Sequence, residues 1–151
     1  LTAVSDGFIV SFVKRFDPDG TVPTPKVIGR EDVERWLFEF QRCIRSKNYT
    51  KARTLFHSRV IAFGTSVNRA DSLDRLEERQ WRKRWPDNGR FEYLVKSASV
   101  IPGAGMFVVA VEWCVPSPVI GANGRNGRAT LVLLDFDGKL LCAHSHHSEL
   151  I

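Results

Sequence analysis

A chain of 151 residues with 43% apolar and 26% charged residues has the size and composition of one ordinary globular domain. Its 22 Lys and Arg against 17 Asp and Glu leave a net charge of +5, too mild to single out nucleic acid or an anionic membrane as a partner. No apolar run approaches the roughly 18 residues of a membrane span, and no signal-peptide layout opens the chain, so a cytoplasmic location is expected. The first residue is Leu1, not Met, which leaves targeting open.

Residues 1–28 differ in character from the rest and read as an N-terminal extension. Gly7 to Val13 predicts one strand, and Asp17-Pro18-Asp19-Gly20 a turn; a loop bounded by Pro23 and Pro25 follows. A single domain is expected over 29–151. From Glu31 to about Lys47, Val33, Trp36, Leu37, Phe40, Cys43 and Ile44 recur at the spacing of one helix face, with Glu31 and Asp32 in the first turn where the helix dipole favours acids. A second, shorter helix is predicted over Tyr49 to His57, then a strand from Arg59 to Thr65. Asp71 is placed to cap a third helix carrying Leu73, Leu76, Gln80, Trp81 and Trp85 on one stripe and ended by Pro86.

Beyond Pro86 the apolar period changes to two. Strands are predicted at about 90–101, 105–116, 128–136 and 140–149, separated by Pro102-Gly103, by a loop from Pro116 to Asn126, and by Asp137-Gly138. An Asp-Gly between two β-rich runs is a strong hairpin signal, because both residues tolerate positive φ. Helices followed by antiparallel strands make an α+β layout. The strand around Val108 is apolar on both faces, so a second copy of the chain is expected to cover the outer one.

The basic cluster of Arg79, Arg82, Lys83 and Arg84 is interleaved with Trp81 and Trp85, as a nucleic-acid site would be. Asp74, Glu77 and Glu78 lie in the same segment, and no nucleic-acid-binding signature accompanies them, so a solvated helix face is the better reading. Cys43, Cys114 and Cys142 are odd in number and widely spaced, and read as free core thiols. His144 and His146, two apart on a strand, could join Glu112 around a metal, but no further acidic ligand follows, and no metal or cofactor is expected.

The helix pair before Leu55-Phe56, the strand Val60-Ile61-Ala62-Phe63-Gly64-Thr65, the helix ending at Trp81, the strand Gly127 to Leu133 and the terminal His146-His147-Ser148 resemble the SnoaL-like branch of the nuclear transport factor 2-like superfamily. His144, His146 and Ser148 are also similar to the association domain of calcium/calmodulin-dependent kinase II. The resemblance covers about residues 30–149. It implies three N-terminal helices packed on a strongly curved antiparallel sheet, a cone-shaped α+β barrel with a pocket at its open end, and dimers formed through the sheet. Ketosteroid isomerases, polyketide cyclases, dehydratases and non-catalytic assembly modules share this fold, so fold does not assign function. The general base of the ketosteroid isomerases falls on Phe63, which cannot take a proton.

Strand alternation puts Leu141, Ala143, Ser145 and His147 on one face, and the resemblance implies that His147 points to the pocket. A pocket lined by Phe40, Phe63, Leu73, Trp81, Tyr93, Leu131 and His147 is expected, suited to a small organic ligand with a carbonyl or acidic end. Glu112, a lone carboxylate in an apolar strand, is the other candidate, and a Glu112–His147 pair would serve cofactor-free acid–base catalysis of the isomerase, cyclase or dehydratase type. The alternative is a non-catalytic oligomerisation or partner-binding module with no small-molecule chemistry.

Overall fold

In the computed structural model, residues 2–5, 8–11 and 27–151 are described. Strands β1 (Thr2–Ser5) and β2 (Phe8–Ser11) form a separate antiparallel pair. The turn at Asp17 to Gly20 and the loop at Pro23 and Pro25 lie outside the described residues.

Helix α1 (Arg30–Ser46) buries the six residues predicted from its periodicity. Its start is held by the Asp32 carboxylate, which accepts from the Gly29 N–H at 3.0 Å. Its end is set by Lys47 at φ 54°, a left-handed residue that turns the chain so that the Asn48 N–H reaches the Cys43 carbonyl at 2.9 Å. Helix α2 (Tyr49–Arg53) is shorter than predicted. Leu55 and Phe56 belong to the transition into strand β3 (Phe56–Phe63), where the Leu55 carbonyl accepts both the Trp36 indole N–H at 3.1 Å and the Cys142 N–H at 2.9 Å. These bonds to α1 and the last strand draw the segment out of the helix.

The third helix is one run: α3 (Leu73–Leu76), a π turn (Glu77–Trp81) and α4 (Arg82–Arg84). Its cap is Ser72, one residue after the predicted Asp71; the Ser72 hydroxyl accepts from the Arg75 N–H. Trp81 follows Leu76 by five positions, a spacing that would carry it off the buried face of a regular helix. The π turn adds one residue to that turn and returns Trp81 to the core.

The remaining strands are β4 (Glu92–Tyr93), β5 (Ser99–Gly103), β6 (Met106–Val115), β7 (Arg125–Phe136) and β8 (Lys139–Glu149). The predicted strand 90–101 is thus broken, with a 3-10 turn at Val95–Ser97 between its parts. Pro102 and Gly103 lie inside β5, which pairs only with β6, so that the missing proline donor is harmless. The turn falls after them and uses Gly105 at φ 68°. The Asp137-Gly138 hairpin is present, with φ of 55° and 86°.

The sheet runs β3-β8-β7-β6-β4, with β5 also on β6. Two features depart from the expected barrel: β3 pairs in parallel with β8, and the sheet is open. A bulge shifts the β7–β8 register, so that Val132 faces His144 while Leu133 faces Cys142. Ala143 is the extra residue, and simple alternation fails across it. Leu140 and Cys142 before the bulge, and Ser145 and His147 after it, therefore share the inner face. The outer face is less apolar than expected: Val108, Val132, Leu134 and Leu141 are half-buried there, while Ala110, Glu112, Arg128, Thr130 and His146 are exposed. Among the described residues no helix is long and apolar enough to cross a membrane.

Candidate functional site

Between α1, the π-turn helix and the inner face of the sheet is a cavity of about 50 Å³. Phe40 lines it, with ring centroids of Phe56, Trp85 and Trp81 at 4.9, 5.7 and 5.8 Å. Trp81 stacks on Trp85 at 4.8 Å, Trp85 on Tyr49 at 5.1 Å, and the Arg82 guanidinium caps Tyr49 at 4.3 Å. Arg82 is tied in turn to Glu77 at 2.7 Å. This layered stack uses part of the basic cluster to fix the aromatic wall, which is the structural role of a helix face that sequence alone could assign only as solvated.

The polar floor is His147. Its Nε2 lies 2.7 Å from the hydroxyl of Tyr93, itself 2% exposed. Burial pushes the His147 pKa down to about 4, with His146 adding to the effect, and burial raises the Tyr93 phenol well above its usual value. Both groups are therefore neutral near pH 7. Were the imidazole to donate, the phenol proton would be left unpaired in an apolar core, at a cost of about 1–3 kcal/mol. Tyr93 O–H accordingly donates to Nε2, and the ring proton sits on Nδ1, which has no partner among the described residues. An N–H donor on a neutral imidazole can bind and polarise a carbonyl oxygen without taking its proton.

The rim is built by two further arrangements. Gln80 lies over Gly64, where a Cβ would come within 2.4 Å of its Oε1; that oxygen accepts from the Ser66 N–H at 2.7 Å, and Nε2–H donates to Thr65. Arg84 and Arg125 converge on Glu149, at 3.6 and 3.0 Å, and Arg125 also donates to the Asn88 side-chain oxygen. Trp113 lines the cavity beside them, packed over Gly127, with a buried indole N–H that has no acceptor among the described residues.

Of the residues named from sequence, Phe40, Phe63, Trp81 and His147 line the cavity. Tyr93 stands behind His147 as its partner, and Leu73 and Leu131 are core residues 5% and 0% exposed that do not reach the cavity. Glu112 is not brought to the site. It is exposed on the outer face, between the buried Val111 and Trp113 and opposite Arg128. Because side chains alternate along β6, a carboxylate next to Trp113 points away from the cavity that Trp113 lines. The Glu112–His147 acid–base pair is therefore ruled out by geometry. Arg84, Trp85, Asn88 and Arg125 were missed. Arg84 was masked by its charged neighbours, and Arg125 by a strand that begins three residues before the predicted start.

His144 donates through Nδ1 to the Ile61 carbonyl at 2.7 Å, and both it and His146 meet Phe63 edge-on. Among the described residues, no three His, Cys, Asp or Glu side chains gather as metal ligands.

No protein-family model and no curated protein matches the sequence. Solved structures do match by shape. A cystatin-like protein of unknown function from Nostoc punctiforme superposes with a TM-score of 0.69 at 8% identity, over 83% of this chain and 94% of its own. A candidate NTF2-like dehydratase from Streptomyces avermitilis gives 0.66 at 10%, over 80% and 95%. A candidate calcium/calmodulin-dependent protein kinase II association domain from Xanthomonas campestris gives 0.64 at 16%, over 84% and 95%. The chain has the NTF2-like, cystatin-like fold, and at these identities the likeness is one of fold.

Proposed function

We propose that this NTF2-like domain binds a small organic molecule in the cavity, apolar body against Phe40, Trp81 and Trp85 and carbonyl or acidic end toward His147. The observation that carries this reading is a neutral histidine, held by a buried tyrosine, at the polar end of an aromatic cavity. A few convergent polar groups in apolar walls are the usual make-up of a ligand site. Isomerase, cyclase or dehydratase chemistry would need a proton acceptor; among the described residues no Asp or Glu lines the cavity, so His147 can activate a carbonyl but must borrow any base from the ligand or water. Binding is the function the geometry supports best. The SnoaL-like branch fits the His147 placement and stays part of the proposal.

The small volume of about 50 Å³ favours a second reading, an assembly module whose cone is filled by its own Trp81 and Trp85. Both readings accommodate a homodimer formed across the outer face, with Val108, Val132, Leu134 and Leu141 at its centre. Light scattering at micromolar concentration tests the dimer. Amide NMR shifts on adding cyclopentanone test the ligand reading: shifts confined to the cavity and lost in His147→Leu support it, and no shift at saturating ketone rejects it in favour of the assembly module.

A further inference from the structure

We propose that Arg84 and Arg125 form the seat for the carboxylate of a small organic acid, and that Glu149 occupies this seat as an internal substitute until the ligand displaces it. This rests on the cavity's being a ligand site and specifies what the site takes.

Four observations converge. Among the described residues, the cavity lining holds two guanidinium groups, Arg84 and Arg125, and no carboxylate. Both arginines lean instead on one acidic group, Glu149, at 3.6 and 3.0 Å. Arg125 is oriented from the other side by Asn88, a residue 9% exposed, so its fork is held in place when Glu149 leaves. The Trp113 indole N–H, in the same lining, is buried and lacks an acceptor among the described residues. A wall with a surplus of donors and positive charge is complementary to an anion, and a guanidinium matches a carboxylate through two parallel N–H···O bonds.

Displacement is physically easy. The side chains of Arg84, Arg125 and Glu149 are 30, 31 and 32% exposed, so water screens their pairing and the leaving carboxylate regains hydration. A route exists as well. Arg125 also borders an open trough of about 440 Å³ between Pro86–Arg90 and Val115–Gly124. A ligand can reach the guanidinium from solvent without crossing the aromatic stack. Glu149 thus sets a threshold: a neutral ligand of the same shape does not compete with it, and an acid does.

The probes are propionate and its neutral isostere propionamide, titrated at constant ionic strength and followed by amide NMR shifts of cavity residues. In Glu149→Gln, which keeps the shape and removes the charge, propionate is expected to bind about tenfold more tightly than in the unmodified protein, the scale of one charge-assisted contact. Propionamide should change by less than about twofold, since it does not compete for the charge. Arg125→Gln should abolish the preference for propionate over propionamide, and Arg84→Gln should reduce it. Propionate affinity unchanged in Glu149→Gln, or both probes tightened alike, overturns the seat while leaving the cavity as a ligand site. If neither probe shifts cavity residues in any of the four proteins, the ligand reading fails and this inference with it.

Discussion

Acidification should unload His147 in a way that one substitution can isolate. In the unfolded chain the imidazole takes a proton below its ordinary 6.5, whereas in the folded protein it stays neutral to about 4. Between those values the unfolded state binds more protons, so stability is complete above pH 6.5, falls as the pH drops to 4, and is flat below for this group. A tenfold change in proton affinity is worth about 1.4 kcal/mol, so the loss attributable to His147 is about 3 kcal/mol. Glutamine at 147 cannot titrate but can still accept from Tyr93. Urea unfolding of the unmodified protein and of His147→Gln at pH 7 and pH 4 should therefore show the former losing about 3 kcal/mol more than the variant. His57, whose pKa burial and Arg59 also lower, contributes equally to both proteins and cancels. Parallel losses in the two proteins would refute the neutral, half-buried histidine.

Tyr93→Phe leaves Nε2 of His147 without its donor and should cost about 1–3 kcal/mol in the same assay, with little change in core volume. Gly127→Ala should cost at least about 2 kcal/mol and shift Trp113 fluorescence, because a Cβ there would meet the Ser148 carbonyl at 2.0 Å and the Trp113 ring at 2.4 Å. Glu112→Gln should alter stability by no more than about 0.5 kcal/mol and leave cyclopentanone binding unchanged, as expected of an exposed residue on the outer face; a lost binding response would place Glu112 in the site after all.

Helix α1 was legible because each buried residue obeys one period and both of its ends are set locally. The last hairpin was legible because Asp137 and Gly138 supply the positive φ themselves. Errors arose wherever a distant contact decides. Leu55 and Phe56 fit a helical stripe, but hydrogen bonds to Trp36 and Cys142 pull them into a strand edge. The Ala143 bulge is a register event between β7 and β8 that carries no local signature, and it reversed the inner face expected for Leu141 while leaving His147 where the family resemblance implied. The site was half legible. Aromatic residues announce a cavity through burial, and His147 was reached through the family resemblance, since its strand neighbours His146 and Ser148 are themselves polar. The cationic rim did not announce itself, because Arg84 sits in a run of charges and its partners Arg125 and Glu149 come from the ends of two separate strands. Glu112 drew attention as a lone acid in an apolar run, yet one position along a strand decides which side of the sheet a charge faces.

The most direct test is a nitrogen-15 spectrum of the His147 ring at pH 6.5, recorded before and after adding cyclopentanone. A neutral ring protonated at Nδ1, with Nε2 accepting from Tyr93, is expected in the free protein, and the ketone should move the Nδ1 resonance far more than Nε2. An imidazolium spectrum in the free protein, or a ring that ignores the ketone at saturation, would contradict the assignment of His147 as the polar end of a ligand site.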